Sequence, residues 1–414
     1  MRILLFTGKG GVGKTTTAAS TAVAAARHGI STLVMSTDTA HSLGDALGMS
    51  LGTGESAGQP VIVEPGLHAL QVSTPHAVDA SWRVVQDYLL HLLSTVGVDP
   101  VVAEELTSLP GAEEVAALLE LQERAESGRW DLIVVDCAPT AETLRLLALP
   151  EALAWHLERL LPAQRGLLRS LRPAAAAASG FPLPGLEVVE TVRGWLTRMR
   201  QVQRLLTGEQ ASVRLVLTPE RVVIAESRRT WTSLSLYGFV VDQVVVNRVI
   251  PDATAEGQGR PDPWRAAWNA AQRDGLAQVA ESFAGVPLTT TPYLAHEPVG
   301  ADALAILAAA RAGDDAATLL EPVTRRGLVV RRVGEDFVLL LPLPLVEAVE
   351  VDLKRRDSEL LVSVAGHRRV LTLPSALTRC VVRSAVVKDG TLRVRFTPDA
   401  EVWPMAAGAR AGRG

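Results

Sequence analysis

The sequence has little that would build a secreted, metal-clipped or membrane-spanning protein. Cysteine occurs only at Cys137 and Cys380. No disulfide framework and no Cys-x-x-Cys metal clip can be built within one chain, and a reducing cytoplasm fits. Long apolar runs are missing: the nearest, Phe337 to Val349, holds two prolines and a glutamate and falls short of the ~20 residues that span a bilayer. The opening Met1–Phe6 starts as a signal peptide would, but ends at once in Thr7-Gly8-Lys9 with no cleavage-type segment. There is no run of basic residues, and the net charge is -4, so a nucleic-acid partner is not expected. Aromatics make up 4%, so the cores must be built from Ala, Leu and Val.

Lysine is the sharpest scarcity. Of 41 basic residues only Lys9, Lys14, Lys354 and Lys388 are lysines. Two of these four nevertheless share one glycine-rich loop. A compact ammonium reaches between phosphate oxygens where a guanidinium fork does not. Lys9 and Lys14 are therefore functional candidates before any motif is considered.

What is present is a chain of 414 residues, long enough for two domains or a large domain with a small one. Short apolar runs alternate with helical patterns through about residue 310, the signature of a parallel sheet with crossover helices. Strands are expected at Ile3–Thr7, Thr32–Ser36, Leu132–Val135, Val213–Thr218, Val240–Val246 and Pro287–Thr291. Helices are expected at Lys14–His28, stopped by Gly29, at Ala112–Glu126 and at Arg221–Leu236. Residues 151–210 depart from this rhythm as a Leu- and Ala-rich helical subdomain, broken around Arg172–Gly185. Gly313–Arg326, with Asp314, Asp315, Pro322, Arg325 and Arg326, has little to pack and should act as a linker. From Gly327 to Thr397 the periodicity is two, with Asp389-Gly390 marking a hairpin turn. The expectation is an α/β domain over 1–312, an all-β sandwich over 327–398 and a flexible tail over 399–414.

Gly8-Lys9-Gly10-Gly11-Val12-Gly13-Lys14-Thr15 fits the pattern G-x-x-x-x-G-K-[ST] between a strand and a helix, with Thr16 continuing it. The glycines let the backbone wrap phosphates and aim successive N–H groups at their oxygens. Lys14 supplies a cation to the β and γ phosphates, and the Thr15 hydroxyl is a Mg2+ ligand. With no internal repeat, the chain holds one nucleotide site. Lys9, directly after the first glycine, marks the deviant form of this loop. Its side chain would serve a second copy docked face to face, neutralising that copy's transferring phosphate by arginine-finger logic.

At these residues the chain resembles the arsenite-pump and tail-anchored-protein-targeting ATPases (ArsA-like P-loop ATPases). Ser36-Thr37-Asp38-Thr39-Ala40-His41 resembles the family's switch I, with Thr39 where proline is usual. The resemblance gives Asp38 the task of orienting or deprotonating the attacking water, a role suited to a carboxylate at a strand end, and puts His41 in the moving segment. Leu132–Asp136, followed by Cys137-Ala138-Pro139-Thr140, resembles switch II. There Asp136 faces Mg2+, while Cys137, Ala141 and Glu142 stand where threonine, glycine and histidine are usual. Asn247, one of two asparagines, resembles the family's reader of the adenine edge, and Pro292-Tyr293 the loop that closes over the base. Gly327–Thr397 resembles a small-heat-shock-protein (α-crystallin-like) sandwich, although no Ile-x-Ile tail follows Phe396.

The resemblance implies ATP and Mg2+ as cofactors, hydrolysis to ADP and phosphate, and a homodimer. Three physiological readings stay open. In the first, the ATPase captures or targets apolar segments of client proteins, with a stripe of Val188, Val192, Trp195, Met199, Val202 and Leu206 as the candidate groove. In the second it energises a membrane pump for arsenite, although As(III) needs converging thiolates and the chain has one P-loop where the pump ATPase carries two. In the third it cycles on membrane or DNA, without the basic amphipathic helix or basic face such cycling requires.

Overall fold

The computed structural model describes residues 1–38, 42–51, 58–72, 83, 85–88, 90–91, 94–95, 112–138, 185–251, 263–312, 318–324, 328–347, 350–399 and 402–403. Its larger sheet holds β1 (Arg2–Thr7), β2 (Thr32–Ser36), β3 (Val61–Glu64), β4 (Leu67–Gln71), β5 (Leu132–Asp136), β6 (Ala211–Leu217), β7 (Val241–Val249) and β8 (Leu288–Pro292). Their spatial order is β3-β4-β2-β5-β1-β6-β7-β8. All pairings are parallel except that of edge strand β3 with β4. Every residue of β1, β2, β5 and β6 is buried, as expected of strands covered on both faces.

Helices α1 (Lys14–Arg27), α2 (Ser42–Leu47), α3 (Ala112–Glu126), α4 (Leu186–Leu206), α5 (Arg221–Tyr237), α6 (Pro263–Ser282) and α7 (Ala301–Ala310) accompany this sheet. Helix α1 follows β1 across the glycine loop and buries Ala18, Ala19, Ala22, Ala25 and Ala26. Small side chains let it lie close to the sheet. It ends at His28 before Gly29, whose φ of 83° closes the helix as the sequence implied. The register sets Phe6 beside Asp136 and Ser36 beside Asp136, so the three strand ends converge on one edge.

The C-terminal strands form two antiparallel sheets. One is β14 (Cys380–Lys388), β15 (Thr391–Pro398), β10 (Asp336–Pro342) and β9 (Val329–Val333), in that order; the other is β11 (Val351–Arg356), β12 (Glu359–Val364) and β13 (His367–Thr372). A four-residue helix, α8 (Ser375–Thr378), joins them. Leu339, Leu341, Leu392, Val394 and Phe396 alternate into a core of their own with Leu360, Val362 and Val364. Asp389 and Gly390 both take positive φ, 51° and 63°, as a two-residue hairpin turn requires.

Three expectations need correction. Residues 318–324 do not behave as a linker: Leu319 is buried in the α/β core, Val323 N–H bonds the Glu209 carbonyl at 3.0 Å, and the Glu321 carbonyl accepts from Arg2 Nε at 2.8 Å. Of the expected flexible tail, Trp403 is packed, its ring centroid 5.6 Å from that of Phe337, while residues 404–414 lie outside the described residues. The apolar stripe on α4 divides: Met199, Val202 and Leu206 are buried in the α/β core, so its C-terminal half packs rather than offering a groove. The remainder of the expected helical subdomain, residues 151–184, lies outside the described residues. Beyond these, the two cores share a seam. Leu236 at the end of α5 is fully buried in the β-sandwich core, Thr232 Oγ1 donates to the Pro344 carbonyl at 2.7 Å, and Arg369 Nη1 donates to the Leu236 carbonyl at 2.6 Å. Among the described residues no helix is long and apolar enough to cross a membrane.

Candidate nucleotide site

The glycine loop leaves β1 at Thr7 and enters α1 at Lys14. Gly8 is needed because a Cβ there would drive into the Val216 carbonyl of β6. Gly13 is needed twice over: its φ is 89°, and a Cβ would strike the Asn247 side chain. Helix α1 starts with no side-chain cap and no acidic residue in its first turn. Its first N–H groups and the positive end of its dipole are left for an anion.

Lys14 is buried, and its Nζ donates to the Lys9 carbonyl at 3.4 Å, folded across the mouth of the loop where a phosphate would draw it. The Thr15 hydroxyl lies 3.1 Å from Ser42 Oγ, the first residue of α2. Asp136 is fully buried at the end of β5. Ser36 Oγ donates to its Oδ2 at 3.2 Å, whereas Oδ1 has no partner. Burial pushes its carboxyl up to about 6; hydrogen bonds from Thr15 and Ser36 and the Lys14 charge pull the other way, and Asp38 adds repulsion. A buried carboxylate oxygen without a donor, beside a threonine hydroxyl and an open helix N-terminus, fits a Mg2+ ion. Thr15 and Asp136 would hold it.

The switch-like segments after β2 and β5 are stitched together. Thr37 N–H bonds the Asp136 carbonyl at 3.0 Å, and Ala138 N–H bonds Thr37 Oγ1 at 3.4 Å. Asp38 is held through its backbone: its N–H donates to Ser36 Oγ at 3.2 Å and its carbonyl accepts from Gln71 Nε2 at 2.8 Å. That leaves the carboxylate close enough to Asp136 to be felt there. His41, Pro139, Thr140, Ala141 and Glu142 lie outside the described residues.

On the other side of the loop is a cavity of about 360 Å³, lined by Gly13, Thr16, Asn247, Pro292 and Tyr293 among others. The structure therefore brings together all the residues expected to surround the base. Asn247 donates one N–H of Nδ2 to the Val12 carbonyl at 2.8 Å, which spends one of its two donors on the loop and leaves Oδ1 for a ligand. Arg248, His296 and Glu297 also line this cavity; the sequence assigned no role to any of them. The Lys9 ammonium pairs with α5 instead, its Nζ 3.8 Å from Glu226 Oε2. Glu226 was unmarked, because a single polar residue on an unrelated element carries no spacing pattern.

Both cysteines are buried, in different cores: Cys137 in that of the α/β sheet and Cys380 in that of the sandwich. Among the described residues no cluster of His, Cys, Asp and Glu could hold a metal ion.

Residues 1–311 match the family model described as anion-transporting ATPase, and residues 334–396 match that of an HSP20-like domain found in ArsA. An uncharacterized protein of Streptomyces coelicolor is 39% identical over 98% of this chain and 99% of its own length. A putative arsenical pump-driving ATPase of Chlorobaculum tepidum is 34% identical over 96% of both chains. ATPase GET3C of Arabidopsis thaliana is 31% identical over 72% of this chain and 79% of its own.

Proposed function

The chain belongs to the anion-transporting ATPase family, and from that premise we propose that it hydrolyses ATP to ADP and phosphate in a Mg2+-dependent homodimer. One observation carries the reading. An uncapped helix N-terminus, the Lys14 ammonium, the Thr15 hydroxyl and the unpartnered Oδ1 of buried Asp136 all converge behind one glycine loop. The backbone of Gly8–Gly13 and Lys14 bind the phosphates. Asn247 Oδ1, Pro292 and Tyr293 hold the base. Thr15 and Asp136 would hold Mg2+, which would supply positive charge beside the phosphate oxygens. Asp38 orients the attacking water and takes its proton. Lys9 leaves Glu226 and reaches the other copy's phosphates when two nucleotide faces dock.

The work so driven is the capture or targeting of apolar protein segments in the cytoplasm. The HSP20-like domain supports this reading, as does the similarity to a protein named ATPase GET3C. The rival pump reading has the name of the Chlorobaculum relative in its favour. Against it, the two thiols sit buried in separate cores and cannot converge on one arsenic atom within a chain. The test is twofold: ATPase assays with and without arsenite, and affinity capture with an Asp38→Asn variant arrested before hydrolysis. Apolar segments retained in an ATP-dependent way support the capture reading. Saturable activation by arsenite, lost in a Cys137→Ser/Cys380→Ser variant, overturns it.

A further inference from the structure

Arg311 closes helix α7 and is buried, 3% exposed, in the α/β domain. Its guanidinium reaches two elements of the nucleotide site at once. On one side, Nη1 donates to Thr21 Oγ1 at 2.9 Å and Nη2 to Ser20 Oγ at 2.6 Å, with the Thr17 carbonyl 3.5 Å from Nη2. On the other, Nε donates to Thr291 Oγ1 at 3.4 Å. Thr17, Ser20 and Thr291 are wholly shielded from solvent, so these bonds compete with no water.

The α1 end of this network runs straight into the glycine loop. Thr21 Oγ1 and Ser20 Oγ each donate onward to the Thr17 carbonyl at 2.9 Å. Thr17 in turn bonds the Gly13 carbonyl through its N–H at 3.0 Å and its hydroxyl at 2.8 Å. The β8 end is as direct, because Thr291 precedes Pro292 and Tyr293 in the wall of the base cavity. Between the two stands a rigid, planar fork whose donors cannot be moved independently. Taking a guanidinium out of water is unfavourable, and an apolar residue of like volume would fill the same space at a lower desolvation cost. What an apolar residue could not do is hold α1 and β8 at one fixed separation.

We propose that Arg311 is a positioning residue for nucleotide binding. It fixes the distance between the loop that takes the phosphates and the loop that takes the base, so that one nucleotide engages both without reordering either. The proposal rests on the ATP-binding reading above and names the part of the scaffold that sets affinity. Arg311 touches neither the reacting phosphate nor the water, so its effect falls on binding rather than on the chemical step.

The test uses the full-length protein as wild type, Arg311→Lys, Thr291→Val and the double variant. Each is measured by calorimetric ATP titration and steady-state hydrolysis. Lysine keeps the charge but has one nitrogen and cannot span α1 and β8; valine keeps the shape of Thr291 and cuts only the tie to β8. Arg311→Lys should raise Kd and KM for ATP roughly tenfold, with kcat within about threefold of wild type. Thr291→Val should move KM the same way by a smaller factor. The double variant should be no worse than Arg311→Lys, because both changes cut the same tie. Variants that melt earlier yet keep wild-type Kd and KM would overturn the proposal and leave Arg311 a purely structural residue. If Arg311→Lys fails to fold, Thr291→Val decides alone by the same readout. A wild-type protein that binds no ATP would instead remove the ATPase reading itself.

Discussion

The Asn247 side-chain amide donates to the Val12 carbonyl at 2.8 Å, so the residue expected to read the base also braces the phosphate loop from β7. A single side chain would thus serve both ends of a bound nucleotide. Asn247→Ala deletes the brace and leaves a buried carbonyl unpaired, which costs ~1–3 kcal/mol. ATP affinity should fall about 10–100-fold by calorimetry. Unchanged affinity would remove Asn247 from both tasks.

Lys14 and Asp38 should separate binding from turnover. Lys14→Ala removes the one ammonium behind the loop and should abolish measurable ATP binding. Asp38→Asn should keep binding while turnover drops by roughly 10²-fold or more, as expected on losing a general base. Equal turnover in Asp38→Asn and wild type would take Asp38 out of the mechanism.

Lys9 Nζ lies 3.8 Å from Glu226 Oε2, with both side chains about a third exposed, so the contact is weak and reversible. If hydrolysis needs Lys9 in a second copy, specific activity should rise with protein concentration. Lys9→Arg should fail, because the wider fork does not enter the neighbouring phosphate cradle. Glu226→Gln frees Lys9 and should raise activity at low protein concentration by no more than about fivefold. Concentration-independent turnover by a strict monomer would sink the idea.

Asp136 carries an opposed pair of effects. Its carboxyl sits at about 6 in the folded chain, above the ordinary carboxylate range, because burial disfavours its charge. The folded state therefore holds a proton that the unfolded state releases, and the metal-free protein loses stability as pH rises from about 4 to about 6. Above that window the full penalty stands, with a ceiling of ~3 kcal/mol. Asp136→Asn should thus raise the melting temperature of the nucleotide-free protein at pH 7.5, with the gain vanishing near pH 4, while Mg2+-dependent hydrolysis is lost. A variant that melts earlier than wild type at pH 7.5 would refute the account.

The readable parts of the chain were those written in local pattern. Strand β1, the loop and α1 were legible because Ile3–Thr7, Gly8–Gly13 and the Ala-rich helix are contiguous. Asp136 was legible because four apolar residues precede it. Strands β3 and β4 were missed, since Glu64, Gly66, His68 and Gln71 break any apolar run. Arg311 was missed for a different reason: its acceptors at Thr21 and Thr291 lie 290 and 20 residues away, and no spacing rule joins them. The seam at Leu236 was invisible in the same way, because a leucine at a helix end is apolar whichever core receives it.

That seam sharpens the last prediction, on the β-sandwich. Every residue assigned to the nucleotide lies before residue 312, so a chain ending near residue 324 should still hydrolyse ATP within a few-fold of wild type. The cut is nonetheless not silent. It strips the sandwich core from Leu236, now fully buried, and leaves the Thr232 hydroxyl without its Pro344 partner. Exposing one leucine costs ~2 kcal/mol and gives the truncated protein an apolar spot. It should therefore melt several degrees lower, and Leu236→Gln in the truncated chain should recover solubility. Helix α5 also carries Glu226 near its N-terminal end, so a loosened α5 should alter how tightly Lys9 is held. The truncated protein should consequently show a shifted concentration dependence rather than a lost active site. It should also protect an aggregating model substrate less well, since the exposed β-sheet edges of the sandwich are gone. Loss of all hydrolysis in a truncated chain that keeps its circular dichroism would place the sandwich inside the ATPase machinery and overturn this division of labour.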